Sequence, residues 1–289
     1  MPITEGRITA NDVDFAYLEA GSGPLALCMH GFPDSAWTYR FLLPALADAG
    51  FRAVAPFMRG YAPTSVPHDG RYQTAALGLD ACRLHEALGG GDDAVIVGHD
   101  WGAMATYIAA NHEPERWRRV VALAVPPAGA VAGGFMQYTQ LKKSWYMFFF
   151  QHGLSDVVVG MDDLAFIDGL WADWSPGHDG AEDIAHVKDA LRDPANLAAA
   201  LGYYRATLGG VGVDPSLDAV QAVGANPTAQ PTLYLHGRTD GCMGVEIAEA
   251  SAPFLTSEGS RVEIVEGAGH FLHVEKPTEV NGLILDFVR

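Results

Sequence analysis

The sequence predicts an α/β protein: a mostly parallel eight-stranded sheet flanked by helices, with a helical cap inserted into it. Three observations lead there. In the first half, short β-rich runs alternate with helical stretches, which is the sequence sign of βαβ units. The strand pattern stops at Pro126 and resumes after Pro227, and the residues between read as helices rich in Trp, Tyr, Phe and Met. A length of 289 residues and a hydrophobic content of 49% suit one large domain carrying an insertion. We therefore expect a core formed by residues 1–125 and 228–289, and a cap over 126–227.

In chain order, strands are expected at 3–9, 13–20, 25–29, 52–55, 94–98, 119–124, 232–236 and 261–265. The first two form an antiparallel lead-in, because only the turn Ala10-Asn11-Asp12 separates them. Helices at 35–49, 72–88, 101–111, 245–257 and 278–288 supply the crossovers. A lid inserted over a sheet edge excludes water and adds side chains to a site beneath it.

Composition narrows the function. A formal net charge of -17 repels phosphate backbones and anionic membranes, so neither nucleic-acid binding nor membrane insertion is expected. The acidic residues are spread without a block, which describes a solvated surface. Cys28, Cys82 and Cys242 are odd in number and far apart, with no CxxC spacing, so they read as reduced thiols. No basic region precedes an apolar run near Met1, and no stretch approaches the roughly 20 apolar residues of a bilayer span. A cytoplasmic enzyme is the expectation. The run 147–150 is too short to span anything and should pack against protein or substrate. Homo-oligomerisation is left open.

The chemistry starts at Val95-Ile96-Val97-Gly98-His99-Asp100-Trp101-Gly102-Ala103: an apolar strand, a G-x-nucleophile-x-G pentapeptide, then a helix. A sharp strand-to-helix turn strains its central residue and needs small flanking residues, here Gly98, Gly102 and Ala103. Where serine often stands in such a turn there is Asp100, whose carboxylate attacks carbon to form an ester. An isolated pentapeptide of this form is commonly a chance turn, but the rest of a triad follows in order. After the seventh strand, Leu235-His236-Gly237-Arg238-Thr239-Asp240 places Asp240 at a strand's C-terminal end. The alternative acid position, after the sixth strand, reads Ala124-Val125-Pro126-Pro127 and holds no carboxylate. After the eighth comes Glu266-Gly267-Ala268-Gly269-His270, where the glycines let a loop carry His270, the general base, over the sheet edge. His273 competes, but Val274-Glu275-Lys276-Pro277 puts it at a helix start; His99, next to the nucleophile, points away from the reacting face. His30-Gly31-Phe32-Pro33 after the third strand supplies the amide of Phe32, which with that of Trp101 forms an oxyanion hole.

With these motifs in hand, the chain resembles the epoxide hydrolases of the α/β-hydrolase fold over nearly its whole length. The segments Tyr146-Met147-Phe148-Phe149-Phe150-Gln151 and Tyr203-Tyr204-Arg205 match two cap motifs of that family. The resemblance implies that Tyr146 and Tyr204 hold and protonate the oxygen of a small lipophilic epoxide, with no metal or organic cofactor. Phe32, Trp101 and Phe149 are expected to contact substrate, within a lipophilic pocket suggested by Trp145, Phe148, Phe149, Trp171 and Trp174; Tyr138 and Tyr203 are read as packing. The chain departs from the family at Phe57, where an acidic residue usually precedes Arg-Gly-Tyr, and at Ala62-Pro63-Thr64, where Gly-x-Ser is common. The nearest rival is a haloalkane dehalogenase, which shares the elbow and to which Trp101 would offer a halide donor. Phe32 stands where such enzymes often carry a halide-binding Asn. A fluoroacetate-type dehalogenase would carry Arg in place of Trp101. A catalytically silent binding protein on the same fold is the reading from another class.

Overall fold

The computed structural model describes residues 1–289. Eight strands, β1 (Thr4–Ala10), β2 (Val13–Gly21), β3 (Leu25–Met29), β4 (Arg52–Pro56), β5 (Val95–His99), β6 (Arg119–Leu123), β7 (Thr232–Gly237) and β8 (Arg261–Val265), form one sheet in the order β1-β2-β4-β3-β5-β6-β7-β8. β2 runs antiparallel to both β1 and β4, and the remaining pairs are parallel. Every residue of β3, β5 and β7 is buried. Helices cover both faces of these central strands, so they read as unbroken apolar runs rather than alternating ones. All eight expected strands are present, with ends shifted by a residue or so.

Helices α1 (Leu42–Asp48), α2 (Thr74–Ala87) and α3 (Trp101–His112) flank the first half. Between β6 and β7 the chain forms no strand and runs through α4 (Ala128–Gly134), α5 (Tyr138–Lys143), α6 (Trp145–Phe149), α7 (Leu154–Gly160), α8 (Ala165–Trp174), α9 (Ala181–Leu191), α10 (Pro194–Tyr204) and α11 (Asp218–Val223). The last three are α12 (Val245–Glu249), α13 (Leu272–Glu275) and α14 (Pro277–Val288). No helix is long and apolar enough to cross a membrane.

Two expected helices are broken, and proline explains both. The stretch 35–49 is a 3-10 turn over Ala36–Tyr39 followed by α1. Pro44 has no N–H to give the carbonyl one turn earlier, so it is tolerated only in a first turn, where α1 places it. The stretch 245–257 is α12 followed by a 3-10 turn over Ala252–Phe254, with Pro253 ending the i to i−4 ladder in the same way.

The loop after β4 departs from the family pattern and finds its support elsewhere. Arg59 is almost wholly buried and pairs in a fork with Asp80 of α2, Nε to Oδ2 at 2.5 Å and Nη2 to Oδ1 at 2.6 Å. Its Nη1 donates to the Arg71 carbonyl at 2.7 Å, and the Tyr203 hydroxyl donates to the Arg59 carbonyl at 2.8 Å. Phe57 is buried beside it as core. Removing either charge would strand the other in the interior, at a cost of about 3–5 kcal/mol.

Candidate active site

Asp100, Asp240 and His270 follow the C-terminal ends of β5, β7 and β8, the edge of an open α/β sheet where ligands bind. At the elbow Asp100 has φ 53° and ψ −117°, a strained conformation for a residue with a Cβ. Glycine is needed around it for close approach. A Cβ on Gly102 would lie 1.9 Å from the Met29 carbonyl oxygen, and one on Gly31 would lie 2.3 Å from Oδ1 of Asp100.

His270 links the three. Its Nδ1 is 2.9 Å from Asp240 Oδ2, and its Nε2 is 3.7 Å from Asp100 Oδ2 with no hydrogen-bond partner. Oδ1 of Asp240 accepts from the amides of Cys242 at 2.7 Å and Met243 at 2.8 Å, which fixes the carboxylate. Burial alone would lower the pKa of His270, but the charge of Asp240 and the nearness of Asp100 outweigh it and push it up to about 10. Asp240 moves the other way: burial raises it, yet His270, His236 and the Met243 amide hold it below the usual carboxylate range.

The other oxygen of Asp100, Oδ1, accepts from the Phe32 amide at 2.8 Å. The Trp101 amide lies beside it on the elbow and is not bonded to it in this resting state. Phe32 therefore reaches the site through its backbone. Its side chain is fully buried against Phe150 and Tyr204 and does not line the cavity over Asp100.

A cavity of about 490 Å³ opens over Asp100. Its polar wall includes Asp100, Trp101, Tyr146, Tyr204 and Cys242, and its apolar wall includes Met104, Val125, Phe135, Met147 and Leu208. Tyr146 on α6 and Tyr204 at the end of α10 face each other with ring centroids 5.6 Å apart. Burial, reinforced by Cys242 and Tyr204 at the one phenol and by Asp100 at the other, holds both well above the ordinary pKa, so both keep their protons. The Tyr204 hydroxyl and the Trp101 Nε1 are buried without partners.

Phe149 does not reach this cavity. It packs with Trp145, Phe150 and Phe166 within the helical segment between β6 and β7, because α6 turns Tyr146 and Met147 inward instead. Trp145, Phe148, Trp171 and Trp174 do not line it either: Trp171 stacks on Phe271 with centroids 3.5 Å apart and donates to the Pro33 carbonyl at 2.8 Å. Tyr138, expected to pack, is largely exposed. His99 and His273 are buried behind His270: His99 Nε2 bonds the His270 carbonyl at 3.0 Å, and His273 Nε2 bonds Thr38 at 2.5 Å.

Three contributors escaped the sequence reading. Cys242 lies two residues after Asp240, and its Sγ is 3.3 Å from the Tyr146 hydroxyl; that short separation was the available signal. The Trp174 carbonyl accepts from the amides of both Gly241 and His270 at 3.0 Å. Glu275 accepts from the Gly269 amide at 2.7 Å and from the Ser175 hydroxyl at 2.6 Å, and that hydroxyl accepts in turn from the Phe271 amide at 3.1 Å. Backbone acceptors leave no mark in sequence.

Comparison with known proteins agrees with this architecture. The family model described as the alpha/beta hydrolase fold matches residues 24–151. Epoxide hydrolase A of Mycobacterium tuberculosis is 28% identical, with 99% of this chain and 97% of that protein covered. Epoxide hydrolase 4 of Homo sapiens is 28% identical over 98% of this chain and 78% of its own length. Among solved structures, Epoxide Hydrolase A from Mycobacterium thermoresistibile superposes with a TM-score of 0.81 at 25% identity, covering 99% of this chain and 98% of that one. Strand order, the strained elbow at Asp100 and these likenesses together give this chain the α/β-hydrolase fold.

Proposed function

We propose that this α/β-hydrolase is an epoxide hydrolase acting on small lipophilic epoxides. The observation that carries the reading is the pair of protonated phenols, Tyr146 and Tyr204, in the same cavity as the Asp100 carboxylate. An epoxide leaves as a strongly basic alkoxide, so opening at neutral pH needs a proton donor at the oxygen as the bond breaks. The names of the full-length relatives point the same way.

In the proposed cycle Asp100 Oδ2 attacks a ring carbon, the carbon–oxygen bond of the epoxide breaks, and a phenol gives the alkoxide its proton. The ester carbonyl oxygen, formerly Oδ1, stays against the Phe32 amide. Ester formation removes the Asp100 charge that helps hold the imidazolium, so His270 passes its Nε2 proton through water to the phenolate. Neutral His270, oriented by Asp240, then takes a proton from water as that water attacks the ester carbon, and the Phe32 and Trp101 amides stabilise the oxyanion. Collapse breaks the bond between the ester carbon and the substrate oxygen, which takes the proton of the new Asp100 carboxyl group, and releases a vicinal diol with Asp100 ionised again. Each proton moves between side chains and water, so the proposal calls for no cofactor, and the apolar wall favours a lipophilic substrate.

One observation favours a second reading: the unpartnered Trp101 Nε1 in the cavity wall would suit a halide. Incubation of the purified protein with a styrene-oxide-like epoxide and with a bromoalkane, assaying diol and bromide, separates the two. Diol formation with little bromide release is expected; faster bromide release than diol formation would replace the first reading with a haloalkane dehalogenase.

A further inference from the structure

The proposed cycle gives the Cys242 thiol no role, yet it stands in the reacting centre. Cys242 Sγ, His270 Nε2 and a carboxylate oxygen of Asp100 all lie within 4.8 Å of one another, and all three residues are buried. Nε2 is without a hydrogen-bond partner. Nδ1 of the same ring is held by Asp240 at 2.9 Å, the carboxylate–histidine arrangement that orients a metal-ligating imidazole and raises its basicity. Asp240 also receives the Cys242 amide at 2.7 Å, so one carboxylate positions two of the three donor residues.

We propose that Asp100, Cys242 and His270 form an inhibitory site for a thiophilic divalent cation of the zinc class. A set of one sulfur, one imidazole nitrogen and one carboxylate oxygen suits such an ion, and the cavity supplies both an entry path and an open fourth position. Tetrahedral binding needs donor separations of about 3.3–3.7 Å; His270 Nε2 and Asp100 Oδ2 already stand 3.7 Å apart, and the Cys242 sulfur, within 4.8 Å of both, closes in by at most about 1.5 Å. On binding, the metal–sulfur and metal–nitrogen bonds form as the Cys242 thiol proton and the Nε2 proton of the His270 imidazolium leave to solvent. The cation ties up the Asp100 carboxylate and the His270 lone pair together, and so blocks ester formation and ester hydrolysis alike.

A second buried cluster, Asp34, His99 and His273, also has its donor atoms within 4.8 Å of one another. It contains no sulfur and none of its residues lines the cavity. Sulfur coordination therefore tells the two sites apart.

The probe is cadmium ion titrated into chelator-treated wild-type protein. One equivalent should bind and give the ultraviolet sulfur-to-cadmium charge-transfer band, and zinc should displace it. C242A and the nearly isosteric C242S should lose the band and bind at least about 10-fold more weakly, while D240N should keep the band and bind about 10–100-fold more weakly. No band in wild-type protein, or binding undiminished in both Cys242 variants, would overturn the site. The inhibitory role rests on the epoxide hydrolase reading: diol formation should fall in proportion to occupancy and return with EDTA, and full activity at full occupancy would overturn it. Absence of diol formation in metal-free wild-type protein would sink the epoxide reading instead, and leave the cadmium titration to decide the site.

Discussion

The Trp174 carbonyl, at the end of α8 in the segment between β6 and β7, accepts the amide of His270 at 3.0 Å and so ties that segment directly to the proposed general base. The same oxygen takes the Gly241 amide, next to Asp240, at 3.0 Å. One backbone atom thus sets the spacing of the acid and histidine loops. Gly269 is what lets the segment come so close, since a Cβ there would lie 2.6 Å from both the Trp174 carbonyl oxygen and the Ser175 Cα.

Gly269→Ala should therefore push the histidine loop off its seat. The steric conflict is with backbone, so a stability loss of about 1–3 kcal/mol is expected. The sharper readout is single-turnover kinetics: hydrolysis of the ester should slow more than its formation, because only hydrolysis needs His270 placed on a water. Equal slowing of both phases would argue that the variant disturbs the whole site.

His270→Gln should stop the cycle halfway. Asp100 still attacks, but nothing activates water, so intact-protein mass spectrometry under saturating epoxide should show a species heavier by one substrate. An unshifted mass would count heavily against the covalent route. In wild-type protein a single turnover in oxygen-18 water should give a diol whose new oxygen is unlabelled, since it comes from Asp100.

Loss of either phenol should be partly covered by the other. Tyr146→Phe and Tyr204→Phe are each expected to cost about 1.4–3 kcal/mol of transition-state stabilisation, roughly tenfold to a few hundredfold in kcat/KM. The double variant should fall by more than the sum of the single effects, because the two phenols act on one oxygen. Folded double variant with wild-type diol formation would remove the phenols from the mechanism.

The charge on His270 gives a pH prediction with a definite sign. Its folded pKa of about 10 lies above the ordinary value of 6.5, so its contribution to stability is fully present below about 6.5 and is lost as pH rises through about 10. Asp240 is the leading cause of the rise, and burial opposes it. In Asp240→Asn the histidine midpoint, followed by NMR of the ring protons, should drop to 6.5 or lower. An unshifted midpoint would show that Asp240 does not hold the imidazolium.

What the sequence by itself determined was the strand framework, the order of Asp100, Asp240 and His270 along the chain, and the strained elbow. The reason is local physics. A both-faces-buried strand is a short apolar run, a sharp turn after it needs small flanking residues, and a loop crossing the sheet edge carries glycine, so each signal sits within a few residues of the side chain it places. The segment between β6 and β7 was legible only as helical. Its aromatic residues surround the helices on several faces, and one sequence cannot say which face docks: Tyr146 turned inward while Phe149, one turn further along α6, packed against Trp145 and Phe166. Only the tertiary structure decided that Asp80 would balance Arg59 and that the Trp174 carbonyl would seat His270. It also decided that Cys242 would face Tyr146 across 96 positions of chain. Each of these is a contact between segments distant in sequence, set by packing that brings two elements together, and no local pattern encodes it.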